Sequence, residues 1–374
     1  MGEPGQSSRA ALTSEAELEK LRRRIDEIDG AILEQLNERA QVVLQVGRVK
    51  KGSGAPIHSA EREREIVDQL RERNPGPFPS EGLGPVFREI ISATRSLEEV
   101  LQVAYLGPEG TFSHLAASEQ FGRLAELWGL RSIADVFAAV ERGKAHLGVV
   151  PVENTTDGIV TQTFDLLPEF DGTICGELQL RVSLSLLSKT GRIEDVRRVV
   201  SHTQPLAQCR GWLDRHLAGA ERVEAASTAS AARLAAEDGV LAAIGSSIAG
   251  EVYGLRTIEA AIEDRRDNTT RFLLIGRQPP AASGSDLTSV VFTIRKDEAG
   301  GLYRLLEPFA RGGVNLTSLH LRPINGKPWE YLFFLDVEGH RSETHVAEAL
   351  EAAARVTNSH RVLGSFPRAA RRRE

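Results

Sequence analysis

The sequence is short of cysteine, of long apolar runs and of excess basic charge, and each shortage argues against a class of protein. Only 2 of the 374 residues are cysteines, Cys175 and Cys209, and they lie far apart in sequence. This argues against a disulfide framework or a metal site. No apolar run approaches the roughly 20 residues of a membrane-spanning helix, so we expect no membrane contact. The polar start of the chain lacks the apolar core of a signal peptide, so we expect a cytoplasmic protein.

A basic excess is missing as well. The chain has 46 Lys and Arg against 52 Asp and Glu, a formal net charge of -6. Nucleic-acid-binding proteins usually carry a basic domain or stripe, so we expect no nucleic-acid partner. An anionic small substrate remains compatible with this balance, because a local cationic pocket fits inside an acidic protein.

Three regions with different patterns of apolar and polar residues predict a multidomain chain. Residues 15–101 place apolar residues at three- and four-residue steps, which predicts three helices, the first from Leu18 to about Lys51. Residues 102–278 alternate strand-like runs with helical stretches, which is typical of an α/β domain with a mainly parallel sheet in two lobes. After a linker rich in Pro, Ser and Gly, residues 287–366 predict a small β-α-β-β-α sandwich.

The first predicted helix carries cations among its apolar residues. Arg39 and Lys50 are eleven residues apart, so they share a face with a separation of about 16 Å. Arg22 lies 17 residues before Arg39 and is rotated by about 100° around the axis. One straight helix cannot gather all three at one pocket, whereas a partner chain alongside can supply Arg22. The alternative for any one of these cations is a solvated surface charge.

Four sequence motifs of this region resemble those of the all-helical, AroQ-type chorismate mutases. They are LRRRIDEID at 21–29, NERA at 37–40, VGRVK at 46–50 and ERER at 61–64. The resemblance implies that chorismate, a dianion, is bound through Arg22 of a partner chain, Arg39 and Arg62. It further implies that Lys50 reaches a carboxylate and the ether oxygen, and that Glu63 holds the ring hydroxyl. A Claisen rearrangement is unimolecular, so clamping the compact conformer and stabilising charge on the ether oxygen is sufficient.

Thr94 and Glu98 are four residues apart on the third predicted helix, and the resemblance assigns both to the mutase site. Many of these mutases have a glutamine at the position of Glu98, where it donates a hydrogen bond to the ether oxygen. A carboxyl group donates only while it is protonated, so a catalytic Glu98 has to hold a proton. The alternative for Glu98 is a surface acid.

Polar segments recur in residues 102–278 where strand-like runs end. They are GPEGTFS at 107–113, VPVENTTDG at 150–158, SHTQ at 201–204, STAS at 227–230 and NTTRF at 268–272. Open α/β sheets bind ligands at the carboxyl ends of strands, and turns that open a helix present N–H groups to anions. Together the segments predict a cleft for a small polar anion, although helix capping alone explains single residues such as Ser227 or Thr228.

The same segments resemble prephenate dehydratase over residues 103–278, whose fold is two α/β lobes around a cleft, similar to periplasmic binding proteins. The resemblance implies that prephenate loses carbon dioxide and hydroxide to give phenylpyruvate, without any cofactor. It favours Thr270 as the proton donor and makes Arg271 the ligand of a carboxylate. A threonine hydroxyl is a poor acid unaided, so Thr270 either polarises the leaving group or relays a proton. The other implied ligands of the substrate are Thr111, Ser113, Asn154, Gln208, Ser227 and Thr228. Glu153 is either an acid in this site or a residue that orders its loop.

Residues 287–366 resemble an ACT domain, a ferredoxin-like α+β sandwich that binds amino acids at dimer interfaces. The resemblance implies phenylalanine as the effector and a homo-oligomer, either dimer or tetramer. The implied effector-binding residues are Gly300, Gly301, Leu302, Asn315, Leu316 and His320. The run HLRP at 320–323 stands where such dehydratases usually carry ESRP, which leaves the identity of the effector open.

Two rival hypotheses compete with a bifunctional enzyme of phenylalanine biosynthesis. In one, the chain is a monofunctional dehydratase whose helical domain serves only dimerisation, but the retained mutase cations count against it. In the other, it is a non-catalytic sensor with a binding cleft and an ACT tail, which would need neither the NTTRF motif nor the helical domain.

Overall fold

The computed structural model describes residues 5–53, 60–294, 299–324 and 330–369. The helical region consists of α1 (Gly5–Ser53), α2 (Ala60–Glu72) and α3 (Ser80–Ser96). Helix α1 begins well before the predicted start at Leu18, because residues 9–12, RAAL, are all good helix formers.

The apolar side of α1 lies open in the single chain. Five residues recur at alternating steps of three and four and are each 46 to 58% exposed: Leu18, Leu21, Ile25, Ile28 and Ile32. We call this row the α1 seam. A 3-4 repeat is the pattern of a helix that packs along another helix, so the seam fits the expected dimer.

The first lobe of the α/β region is a six-stranded sheet in the order β2-β1-β3-β11-β5, with β4 beside β3. Its strands are β1 (Gln102–Leu106), β2 (Glu126–Leu130), β3 (Leu147–Asn154), β4 (Gly158–Ile159), β5 (Thr173–Arg181) and β11 (Thr269–Gly276). Its helices are α4 (Phe112–Phe121), α5 (Ile133–Glu141) and α6 (Thr161–Leu166). Strands β1, β2 and β3 are parallel, but β11 runs antiparallel to β3 and β5. The prediction of a mainly parallel sheet was therefore wrong, because the chain returns from the second lobe to form β11.

The second lobe is a five-stranded sheet in the order β10-β6-β9-β7-β8. Its strands are β6 (Ser185–Ser188), β7 (Arg198–Ser201), β8 (Glu221–Glu224), β9 (Leu241–Gly245) and β10 (Arg256–Glu259). Its helices are α7 (Thr203–Gln208), α8 (Arg210–His216), α9 (Thr228–Glu237) and α10 (Ser247–Tyr253), with a 3-10 turn at Ile193–Asp195. The chain enters this lobe after β5 and leaves it before β11, so two crossings join the lobes.

The C-terminal sandwich has a four-stranded sheet in the order β13-β14-β12-β15. Its elements are β12 (Asp286–Thr293), α11 (Gly301–Arg311), β13 (Leu316–Pro323), β14 (Tyr331–Glu338), α12 (Thr344–Arg355) and β15 (Ser359–Pro367). The prediction missed β15, which pairs with β12. One face of the sheet packs on α11 and α12. The other face shares a core with the first lobe, in which Phe164 and Ile174 join Phe334 and Leu363.

Candidate active sites

A cleft of about 300 Å³ lies between the two lobes of the α/β region, beside the crossings that join them. Seven of the predicted residues line it: Thr111, Ser113, Asn154, Gln208, Ser227, Thr228 and Thr270. Helix starts and the carboxyl end of β3 supply five of these side chains, as the sequence predicted. The other two differ, because Thr270 lies at the start of β11 and Gln208 at the end of α7. Phe112, Asp157, His202, Gln204 and Asn268 also line the cleft, and no role had been assigned to them.

The hydroxyl of Thr270 belongs to a hydrogen-bonded amide network. The Nδ2 atom of Asn154 donates to Thr270 Oγ1 at 2.8 Å and to Asn268 Oδ1 at 2.8 Å. Asn268 in turn donates to Gln208 Oε1 of the second lobe at 3.4 Å. Because Thr270 accepts from Asn154, its own hydrogen is directed to another acceptor. Asn268 is the first residue of the NTTRF motif, and its buried side chain links the lobes.

The loop at 107–113 is held from both lobes. Thr111 is the N-cap of α4, and its Oγ1 accepts from the N–H of His114 at 3.3 Å. Gly110 has a φ of 83°, where a side chain would meet the ring of Tyr253. From the second lobe, Ser246 Oγ donates to the carbonyl of Gly110 at 2.8 Å and Tyr253 donates to the carbonyl of Glu109 at 3.0 Å. These bonds fix the start of α4 at the edge of the cleft.

The opposite wall of the cleft is the start of α9. Ser227 is its N-cap and forms a capping box with Ser230, each side chain accepting from the other's N–H. His202 is the N-cap of α7, where its Nδ1 accepts from Gln204 at 3.5 Å. Capping therefore explains Ser227 and His202 locally, and the same residues face the cleft.

Arg271 and Glu153 do not line the cleft, and the predicted role of Arg271 as a substrate ligand needs correction. Thr270 lies opposite Asn154 in the ladder of β11 and β3, and Arg271 lies opposite Glu153. Successive side chains of a strand point to opposite faces, so the first pair faces the cleft and the second faces away. Arg271 instead pairs with Glu177 and with Asp336 of the C-terminal sandwich.

No Lys or Arg is among the described residues that line the cleft. An anion there meets the starts of α4 and α9, each ten residues long, together with hydroxyl and amide groups. The N-terminal end of a helix carries a partial positive charge and free N–H groups, so it replaces a cationic side chain.

In the helical domain, α1 meets α3 and the turn after it through Arg39, Thr94 and Glu98. Arg39 Nη1 donates to Thr94 Oγ1, so α1 and α3 meet there. Burial lowers the pKa of Arg39, which the charge of Glu63 opposes. Glu98 lies in the turn after α3, and its carboxyl group covers Gly47, where an added Cβ would be 3.0 Å from Oε2. The carboxyl group therefore faces α1, which fits the predicted site better than the surface alternative.

Arg95 was missed by the sequence reasoning. Its Nη1 donates to Glu63 Oε1 at 2.7 Å, and its Nη2 donates to the carbonyl of Phe121 at 3.3 Å. Burial lowers the pKa of Arg95, whereas Glu63 and Glu98 raise it. Glu63 is thus held by a buried ion pair, which orients a residue that was predicted to bind the ring hydroxyl. An arginine next to Thr94 was the only sequence signal.

The remaining predicted mutase cations are spread along the helices. Arg22 is exposed near Glu19, and its position on α1 is about 25 Å from Arg39 along the axis. Arg62 is exposed and pairs with Glu65 at 3.0 Å. Lys50 lies on α1, but its side chain is outside the described part of the chain. One chain thus does not bring Arg22 to the Arg39 cluster.

The predicted effector residues occupy different ends of the sandwich. Gly300, Gly301 and Leu302 open α11, whereas Asn315 and Leu316 follow its far end, about 16 Å away. The predicted place of His320 at an effector site needs correction. Its ring packs on Phe164 of the first lobe, with ring centroids 5.0 Å apart. Alternation along β13 points Leu319 into the sandwich core and His320 to the domain interface. A role for His320 in direct effector binding is therefore not supported.

Within the described ranges, no group of three His, Cys, Asp or Glu side chains is arranged to hold a metal ion. Both cysteines are free thiols, and burial raises the pKa of each to about 12, which suits neither for nucleophilic catalysis at neutral pH. None of the described helices is long and apolar enough to cross a membrane.

Fold and sites together define a class: a helical domain with a cationic cluster, a two-lobed α/β domain with a polar cleft, and a small sandwich of one four-stranded sheet and two helices. Family models agree in that order, with chorismate mutase type II at 21–99, prephenate dehydratase at 103–280 and the ACT domain at 288–355. A bifunctional chorismate mutase/prephenate dehydratase of Aquifex aeolicus is 45% identical, covering 94% of this chain and 98% of the relative. The chain belongs to this bifunctional family, and the predicted family, fold classes and double enzyme are confirmed.

Two solved structures match the dehydratase and ACT parts. The prephenate dehydratase of Arthrobacter aurescens in complex with L-Phe has a TM-score of 0.65 and 33% identity, covering 71% of this chain and 89% of that one. GqqA, described as a novel type of quorum-quenching acylase, has a TM-score of 0.67 and 31% identity, covering 72% of this chain and 99% of that one.

Proposed function

We propose that the chain converts chorismate to prephenate in its helical domain and prephenate to phenylpyruvate in the cleft between the lobes. The observation that carries the second step is the Asn154–Thr270 pair at the cleft wall, beside two helix starts. The proposed location is the cytoplasm, and the proposed assembly is a homodimer or tetramer in which the α1 seam is covered.

In the dehydratase site, the starts of α4 and α9 and the hydroxyls of Thr111, Ser113, Ser227 and Thr228 hold the two carboxylates of prephenate. The bond from the ring to its carboxylate breaks, and carbon dioxide leaves. The electron pair passes through the ring to expel the hydroxyl group, which takes a proton and leaves as water. Thr270 donates a hydrogen bond to that leaving oxygen, while Asn154 orients the threonine. Aromatisation drives the step, so positioning and one donor are sufficient.

In the mutase site, Arg39, Arg62, Lys50 and Arg22 from a second chain clamp the compact form of chorismate. Arg39 is already fixed by Thr94, and Glu63 by Arg95. The carbon–oxygen bond breaks as the carbon–carbon bond forms, and Glu98, when protonated, donates to the ether oxygen. No covalent intermediate is needed. Rigid side chains accelerate the rearrangement by holding chorismate in the reactive conformation.

In the ACT domain, we propose a phenylalanine site formed by two chains, with Gly300, Gly301 and Leu302 of one chain near Asn315 and Leu316 of another. The support is the separation of these two sets within one chain and the L-Phe complex of the Arthrobacter aurescens dehydratase. Glu153 faces away from the cleft, which favours its alternative role of ordering the loop.

The test of the dehydratase assignment uses three substitutions of Thr270. Thr270→Val keeps the shape and removes the donor, so kcat for prephenate should fall by about 10²- to 10³-fold, as for a single oxyanion donor. Thr270→Ser should keep kcat within about tenfold, and Thr270→Ala should resemble Thr270→Val. Conversion of chorismate to prephenate is the internal control and should not change. A Thr270→Val enzyme that alters only KM would show that the hydroxyl binds substrate without assisting the leaving group.

A further inference from the structure

Arg271 stands next to Thr270 on β11 but faces the opposite side of the sheet. Its Nε donates to Glu177 Oε2 at 2.7 Å, and its Nη1 donates to Asp336 Oδ2 at 2.7 Å. Glu177 belongs to the neighbouring strand β5, whereas Asp336 belongs to β14 of the ACT domain. One guanidinium thus joins the catalytic strand to another strand of its own sheet and to the regulatory domain.

This triad is largely buried, and all four of its carboxylate oxygens have hydrogen-bond partners. The side chains of Arg271, Glu177 and Asp336 are 16%, 2% and 14% exposed. The second carboxylate oxygens are also occupied, because Ala369 N donates to Glu177 Oε1 at 2.9 Å and Ser289 donates to Asp336 Oδ1. Burial lowers the pKa of Arg271, but the two carboxylates raise it by more than burial lowers it. The net shift is upward, so the guanidinium stays charged. Buried charges held by this many partners have one favourable arrangement and resist small displacements.

The position of β11 is specified beside the triad. Opposite the step from Arg271 to Phe272, strand β3 has one extra residue, Val152, so the ladder of β11 and β3 contains a bulge beside the arginine. A bulge interrupts the ladder locally, so the side-chain contacts of Arg271 help to hold this part of β11 in place. The Asn154–Thr270 bond lies on the other face of the same two strands.

We propose that Arg271 is a positioning residue that sets the Thr270 hydroxyl through Glu177 and Asp336 and thereby makes the ACT sheet part of the dehydratase scaffold. This inference rests on the proposed role of Thr270. Because Asp336 lies on the sheet that also contains β13, a change of the ACT sheet that moves Asp336 pulls on β11. The dehydratase then slows because the Thr270 hydroxyl is misplaced, although the effector does not contact the substrate.

The structure provides a matched control. Besides the pair of Arg271 and Asp336, one further ion pair between the dehydratase and ACT domains lies within the described residues. It joins Arg322 to Asp165 on α6, at 2.8 Å. The control variant, Asp165→Asn, removes a carboxylate from the same domain interface without touching β11. The test variant, Asp336→Asn, removes a carboxylate from the triad and keeps the shape of the side chain. Both enzymes should convert chorismate at the parental rate.

We expect Asp336→Asn to lower kcat for prephenate about tenfold with KM within about twofold, and to weaken inhibition by phenylalanine. Asp165→Asn should leave kcat within about twofold. Glu177→Gln should act in the same direction as Asp336→Asn. If Asp336→Asn is insoluble, Ser289→Ala frees only one oxygen of Asp336 and should lower kcat by about two- to threefold.

The decisive measurement combines Asp336→Asn with Thr270→Val. If the triad acts by placing the hydroxyl, Asp336→Asn should cause no further loss once the hydroxyl is absent. Equal losses in both backgrounds would mean that Asp336 merely stabilises the fold, and equal effects of Asp336→Asn and Asp165→Asn would also overturn the proposal. A parental rate for Thr270→Val alone would instead refute the role of Thr270, so the two failures are distinguishable.

Discussion

The side chain of His114 supports the loop at the edge of the cleft. Its ring stacks on Tyr105 with centroids 5.1 Å apart, and its Nδ1 accepts from the N–H of Gly110 at 3.1 Å. Burial lowers the pKa of His114 from its ordinary 6.5, and the charge of Glu109 opposes this only in part. The folded loop therefore holds the neutral imidazole, whose protonation would remove the acceptor for Gly110.

The sign of the pH effect follows from this preference. As the pH falls below about 6.5, the unfolded chain binds a proton that the folded loop resists, so the free energy of unfolding declines. The urea concentration that halves dehydratase activity should therefore drop between about pH 7 and pH 5.5. His114→Phe keeps the stacking and should lower resistance to urea at pH 7, but flatten the pH dependence. His216→Phe, at an exposed position, is the control, and an unchanged slope in His114→Phe would contradict the assignment.

Glu98 gives a second residue-scale prediction, for the mutase. If its carboxyl group donates to the ether oxygen, a substitution that keeps a donor should preserve mutase activity, and one that removes the donor should not. Glu98→Gln supplies a permanent donor of nearly the same shape and should retain most of the mutase activity, with unchanged dehydratase activity. Glu98→Ala should be about 10²- to 10³-fold slower as a mutase. Equal losses of mutase activity in Glu98→Gln and Glu98→Ala would exclude Glu98 as the donor.

Neighbouring residues also show how far the sequence decides a site. The strand-end rule located Asn154 at the cleft, and the NTTRF motif located Thr270 there. The same motif also assigned Arg271 to the substrate, whereas its side chain lies on the other face of the sheet. Strand alternation already forbids both Thr270 and Arg271 from facing the cleft, and the motif resemblance overrode that constraint. The partners of Arg271 were beyond prediction, because Asp336 is 65 residues away on another domain.

At the scale of elements, helices were predicted better than strand partners. Local periodicity predicted three helices in the first region, and the structure has α1, α2 and α3 there. Strand β11 runs against the expected direction because the chain reaches it only after passing through the second lobe, and local sequence does not show this return. Helix α1 has the 3-4 repeat of the α1 seam, but the sequence does not show which second helix covers it.

The element-scale prediction concerns two α1 helices in one dimer. Arg22→Ala and Arg39→Ala should each be inactive as mutases, since every site in either homodimer lacks one cation. If Arg22 acts across chains, mixed dimers contain one intact site and one that lacks both arginines. Random exchange of subunits should therefore restore about a quarter of the parental mutase activity. Dehydratase activity should be constant throughout, and no recovery in dimers shown to be mixed would place Arg22 and Arg39 in the same chain's site.

At the scale of the whole molecule, the ACT sheet shares a core with the first lobe and an ion pair with the catalytic strand. A ligand of the ACT domain can change dehydratase activity only if it binds two states of this assembly with different affinity. Phenylalanine should therefore bind the full chain, lower dehydratase activity and leave isolated residues 5–101 unaffected.

Thermodynamic linkage also requires the reverse effect. If phenylalanine weakens the binding of an unreactive prephenate analogue by some factor, the analogue should weaken the binding of phenylalanine by the same factor. Calorimetric titration of each ligand, alone and with the other at saturation, measures both factors. Tyrosine is the control for the aromatic amino acid. Absence of binding at millimolar phenylalanine would end the proposal, and binding without any reciprocal change would show an ACT domain that is occupied but uncoupled from the cleft.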